Sequence, residues 1–118
     1  MTTDTIPGPF RTVDLGGADI DVTNPVMVRA LMDAQGFDTE FTFGIDPVRD
    51  VARKAYDGIV ALAAYYEHLE LNPEHEEPCA QILADLLADL RHTADALGLN
   101  FDTAVEDSYT NYRAERGA

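Results

Sequence analysis

Three side chains in the C-terminal half of the chain, Asp85, Asp89 and His92, stand four and three residues apart. In a helix those spacings put all three on one face. Two carboxylates and an imidazole supply the oxygen and nitrogen donors that hold a divalent cation. The same pattern also describes a solvated polar face, and rotation along the helix bears on the choice. Leu83, Leu86, Leu87, Leu90, Ala94 and Leu97 form an apolar stripe on the same segment, and at about 100° per residue its centre lies roughly 150° from Asp85. With the leucines turned to a core, the acids face water, and a metal site needs a second element to cover them.

Other candidate groups are sparser. Glu67 and Glu70 form an acidic pair near the end of the preceding apolar segment. Glu70 projects beside the apolar stripe of that segment or lies past the helix end, where the chain turns. His75 and Cys79, four apart around Pro78, are zinc-type donors. Only His68 lies near them and the chain has a single cysteine, so loop polarity and a partly buried thiol account for the pair better. One thiol builds no internal disulfide, which predicts a reducing, cytoplasmic setting. The chain shows no Ser-His-Asp signature and no Walker loop.

The elements that must position these groups are legible from caps and periodicity. Residues 1–9 hold Pro7 and Pro9 and read as a flexible lead-in, without the basic and apolar regions of a signal peptide. Val13 and Leu15 alternate with polar neighbours, Gly16-Gly17 follows, and Ala18, Ile20 and Val22 alternate again. That pattern predicts a β-hairpin closed by a type I′ turn. Asn24-Pro25 predicts a helix start, with a helix to Gln35 and a stop at Gly36. Phe41, Phe43 and Ile45 alternate with Glu40, Thr42 and Gly44 as in a half-buried strand.

Asp46-Pro47 repeats the cap-then-proline signal for a long helix to about Leu69. Its stripe is Val48, Val51, Ala52, Ala55, Ile59, Leu62, Ala63 and Tyr66, with Asp50, Lys54, Asp57 and His68 opposite. A second long helix runs from about Cys79 to Leu97 and stops at Gly98. A third starts after Asn100 and runs to about Glu115, with Phe101, Ala104, Val105, Tyr109 and Tyr112 on its apolar side. The expected fold class is α+β and helix-dominated. It is one domain over 1–118, with a small α+β part at 10–45 and a three-helix part at 46–116.

Charge sets the function classes. Of 118 residues, 22 are acidic and 8 basic, a net charge of −14. Such a field repels phosphate backbones and anionic bilayers, so neither nucleic acid nor membrane is an expected partner. No apolar run approaches the ~20 residues of a membrane-spanning helix. A basic protein surface is the complementary partner. Asp85, Asp89 and His92 are the residues placed to meet it, together with Tyr109 and Tyr112 where their rings reach past the buried side of the last helix, since tyrosine is enriched at interfaces.

The stretch from Asp85 through Leu86-Leu87-Ala88-Asp89-Leu90-Arg91-His92 to Gly98 and Phe101-Asp102-Thr103-Ala104-Val105 resembles the second half of the MazG-type all-α nucleotide pyrophosphohydrolase motif. That family carries an acidic E-x-x-E on one helix and E-x-x-D on the next. The resemblance covers roughly the last fifty residues, as a pattern match of the kind motif reading allows. It implies Mg²⁺ held by Glu67, Glu70 and Asp85 around nucleotide phosphates, with Asp89 and His92 in reserve. The third acid of the pattern falls on Ile82. The segment Leu86 to Tyr112 is also similar to small uncharacterised proteins of actinobacteria and their phages, a likeness that implies a source and no activity. The reading from the residues themselves is a non-enzymatic acidic interaction protein without a cofactor that docks on a basic surface of a host protein, and the actinophage likeness implies a phage or mobile-element origin for it. A Mg²⁺-dependent pyrophosphohydrolase, or a degenerate nucleotide-binding relative, is the alternative, and a homo-oligomer is a third.

Overall fold

The computed structural model describes residues 16–69 and 77–116. Four helices follow one another: α1 Pro25–Ala34, α2 Pro47–His68, α3 Cys79–Leu97 and α4 Phe101–Glu115. Three start on the side-chain caps that the sequence predicts. Asn24 accepts from the Met27 N–H, Asp46 from Arg49 and Asn100 from Thr103. Each satisfies an amide that the first helical turn leaves without an internal partner. Pro25 and Pro47 occupy the first helical position, where a missing N–H costs nothing. The cap of α3 is Pro78, which has no side-chain donor or acceptor. There the Cys79 N–H donates 3.2 Å to the Thr23 carbonyl, which ties the start of α3 to the segment before α1. Gly98 ends α3 at φ 71°, a left-handed conformation that a Cβ would oppose.

Among the described residues there is no strand, and the expected α+β class is corrected to all-helical. The hairpin's first strand, Val13 to Leu15, lies outside the described residues. At the expected turn Gly16 and Gly17 take φ 61° and 88°, values that glycine adopts freely. Ala18 to Val22 do not extend from it. The Asp19 carboxylate accepts from the Asp21 N–H at 2.9 Å, its carbonyl accepts from Val22 at 3.1 Å, and the Thr23 hydroxyl donates to the same carbonyl. Short-range partners of this kind compete with a sheet ladder for the backbone groups, and here the chain curls.

The strand expected over Phe37–Ile45 is also absent. Asp50, on the first turn of α2, accepts from the Thr42 N–H (2.6 Å), the Thr42 hydroxyl (2.7 Å) and the Gly44 N–H (2.7 Å). The loop folds back over this carboxylate. Phe43 takes φ 54°, and Phe43 and Ile45 stand 88% and 89% exposed. Asp50, placed on the solvent side by periodicity, is buried. Burial alone would raise its pKa. The hydrogen bonds from Thr42 and Gly44, with Arg49 nearby, outweigh that and hold the carboxyl below its ordinary value.

The core belongs to α1, α2 and the first half of α3. Val28 and Met32 pack with Tyr56, Ile59, Leu62 and Tyr66, and Ile82 closes the cluster with no exposed surface. The Tyr56 hydroxyl donates 2.6 Å to Asp33, linking α2 to α1. The α2 stripe matches the expected one at Ile59, Leu62, Ala63 and Tyr66, while Val48 is exposed. The expected stripes of α3 and α4 do not match. Leu83, Leu87, Leu90 and Leu97 are exposed, Leu86 is half-buried and only Ala94 of that stripe is buried. No residue of α4 is buried. The reason lies in the rotation of α3. Ile82 and Leu86 meet α2, which turns the leucine row about 80° off the seam.

Candidate functional site

The α3 helix presents three sides. Ile82 and Leu86 face the core. Leu83, Leu87 and Leu90 form an exposed apolar side. Asp85 and His92 lie on the outer side with Asp95, and all three are exposed. The expected trio is therefore split. Asp89 is rotated toward α2, where its Oδ2 accepts a short hydrogen bond from the Tyr65 hydroxyl. This bond is the largest of the causes that push the Tyr65 pKa up to about 12, with burial and the charges of Asp89 and Asp85 adding to it. The protonated phenol is the form that the fold stabilises. Its contribution is complete below tyrosine's ordinary value of 10 and is lost as pH rises through about 12. Alkaline titration by phenolate absorbance is expected to show a late-ionising tyrosine, and Asp89→Asn to shorten the lag, leaving the part due to burial and Asp85. A lag unchanged by Asp89→Asn would rule out this pairing as its main cause.

The second acidic pair cannot be placed together. Glu67 is exposed in the last turn of α2, and Glu70 lies outside the described residues, as does His75. At position 82, where the pyrophosphohydrolase pattern requires its third acid, Ile82 is embedded among Tyr66, Leu62 and Met32 in the core cluster. Cys79 opens α3 half-buried, and burial pushes its thiol pKa up. A raised pKa leaves less of the thiolate that metal binding and nucleophilic chemistry require. Among the described residues no three His, Cys, Asp or Glu side chains gather closely enough to hold a metal ion.

Tyr109 and Tyr112 are exposed on α4, 59% and 43%. Their rings stack at 6.4 Å with 18° between planes. Arg113 lies 5.7 Å over Tyr109 and Arg116 lies 5.3 Å over Tyr112. Each guanidinium sits on the electron-rich face of a ring, which favours the pair electrostatically.

Several bases are engaged inside the molecule. Arg53 pairs with Asp57 at 3.0 Å and donates to the carbonyls of Asp38 and Thr39. Lys54 pairs with Glu115 at 3.2 Å and lies 5.1 Å over the Phe41 ring. Arg91 pairs with Asp102 at 3.3 Å and covers Phe101 at 4.5 Å. An open depression of about 380 Å³ lies between Phe41, Phe43, Arg53 and Lys54, and its cations are answered by these partners. Every acid on α3 and α4 is exposed: Asp85, Asp89, Asp95, Asp102, Glu106, Asp107 and Glu115. The acidic surface is thus a property of the outer helical faces, with the cations partly spent on internal bonds.

Sequence reasoning missed the Asp50 clasp and the display of Phe43 and Ile45. The signal for the clasp was an acid four residues after the Asp46 cap, in the first turn, beside a Thr-x-Gly segment able to donate to it. Among the described residues no helix is long and apolar enough to cross a membrane. No known protein family, curated protein or solved structure matches the chain.

Proposed function

We propose that this chain is a non-enzymatic, cytoplasmic interaction protein that docks its acidic helical surface on a basic patch of a protein partner. The observation that supports this reading is the exposure of every carboxylate on α3 and α4, of which Asp89, Asp102 and Glu115 are bonded to Tyr65, Arg91 and Lys54 while Asp85, Asp95, Glu106 and Asp107 face solvent. A surface of one sign accelerates encounter with a complementary partner and rejects like-charged ones. Asp85 and His92 on the outer side of α3 are the centre of that surface. The likeness to actinobacterial and actinophage proteins makes a host protein of that group the partner to test.

The immobilised chain is expected to retain a basic protein from an actinobacterial extract at low ionic strength and to release it as salt rises. Asp85→Asn with Asp95→Asn is expected to slow association with that protein about tenfold. Retention of nothing at low salt, or of a partner indifferent to salt, overturns the reading. Calorimetry with Mg²⁺ and a panel of nucleotides is expected to give no heat of binding. Saturable heat would favour the pyrophosphohydrolase alternative instead.

A further inference from the structure

We propose that the apolar sides of α3 and α4 form a two-fold interface with a second copy of this chain. A helix of 15 residues is marginal in water unless an apolar face is covered, and α4 has no buried residue. It has such a face: Val105, Tyr109 and Tyr112 recur at helical spacing and are 47%, 59% and 43% exposed. On α3, Leu83, Leu87 and Leu90 are 49%, 46% and 44% exposed. The core does not use them, because Ile82 and Leu86 meet it from the adjacent side.

The two rows lie on consecutive helices joined by a short turn. Ala94 belongs to the leucine row, lies in the last turn of α3 and is buried. Phe101 belongs to the row of Val105 and Tyr112, and is half-buried beneath Arg91 of α3. Arg91 also pairs with Asp102, so the two helices touch near the turn. The remaining side chains of both rows are open to solvent.

Area and charge select the occupant. The six side chains expose roughly 600 Å² per chain, at the upper end for the largest apolar patch of a monomer. With Leu97 and Leu99 beside the turn, 66% and 62% exposed, the patch reaches the ~800 Å² that each partner gives to a standard interface. A basic protein suits this face poorly, since Arg113 lies over Tyr109 on it. A second copy suits it. Rotation by two-fold symmetry sets each apolar row on its equivalent. The outer side of α3, with Asp85, His92 and Asp95, points roughly 150° away, so pairing does not bring those carboxylates together.

The full-length chain is expected to sediment as a dimer at micromolar concentration and to dissociate on dilution. Added salt should preserve or tighten the dimer, because it screens repulsion between acidic copies while the contact is apolar. That behaviour is opposite to the partner binding proposed above, and the two readings fail separately. Leu87→Glu and Tyr109→Glu are each expected to give a monomer with helical circular dichroism retained. Should either unfold, the milder Tyr109→Ser is expected to weaken association about tenfold or more and to lower the midpoint of unfolding at concentrations where the parent is dimeric. Asp85→Asn is expected to leave the mass unchanged. A monomer at every concentration, an open series of larger species, or dimers unaffected by all three variants of the apolar rows overturns the proposal.

Discussion

Ile82→Ala is expected to destabilise the protein by about 3 kcal/mol and to lower Tm by about 10–15 °C, the cost of a cavity where three helices meet. Ile82 has no exposed surface and packs in the cluster of Val28, Met32, Leu62 and Tyr66. The loss combines missing contacts with a void that close-packed neighbours fill only in part. Ile82→Glu is the more informative change, since it restores the acid that the pyrophosphohydrolase pattern places there. In an apolar cluster the carboxylate meets no cation, and burying it costs more than about 4 kcal/mol. Domains of this size are stable by only about 5–15 kcal/mol, so this variant is expected to lose cooperative thermal unfolding. A stable Ile82→Glu protein that gains thermal stability on addition of Mg²⁺ would contradict both the packing described and the non-enzymatic reading.

Tyr66 is expected to respond with opposite signs to two substitutions. It is 7% exposed, and its hydroxyl has no hydrogen-bond partner among the described residues. An unanswered buried hydroxyl carries a desolvation cost of about 1–3 kcal/mol. Tyr66→Phe keeps the ring and removes the cost, so urea unfolding is expected to show a gain of about 1 kcal/mol. Tyr66→Ala removes the ring from the centre of the cluster and is expected to lose about 3–4 kcal/mol. A Tyr66→Phe protein weaker than the parent by a kcal/mol or more would mean that the hydroxyl is answered after all.

The candidate groups show how far side-chain spacing alone reaches. Asp85, Asp89 and His92 share a helix as the i, i+4, i+7 spacing requires. Their split into an outer pair and a Tyr65-bonded Asp89 depends on which side of α3 meets α2. Periodicity finds an apolar stripe but not its occupant, and the leucine row of α3 and the aromatic row of α4 are left exposed. The Phe41–Phe43–Ile45 alternation fits a strand. The Asp50 carboxylate claims the backbone amides that a ladder would have used, and that competition involves groups up to eight residues apart.

The starts of α1, α2 and α4 and the stop of α3 were decided locally. Asn24, Asp46 and Asn100 each bond an amide three residues ahead, the prolines at the first turn need no such bond, and Gly98 takes the left-handed stop without a Cβ. These interactions lie within one turn of chain, so the residue order is enough to determine them. The choice of buried face was not local. Ile82 is in the core and Leu83 is not because α1 and α2 cover one side of α3 and leave the next uncovered. Only the mutual placement of helices distant in sequence decides which apolar row is spent on folding and which remains for another molecule.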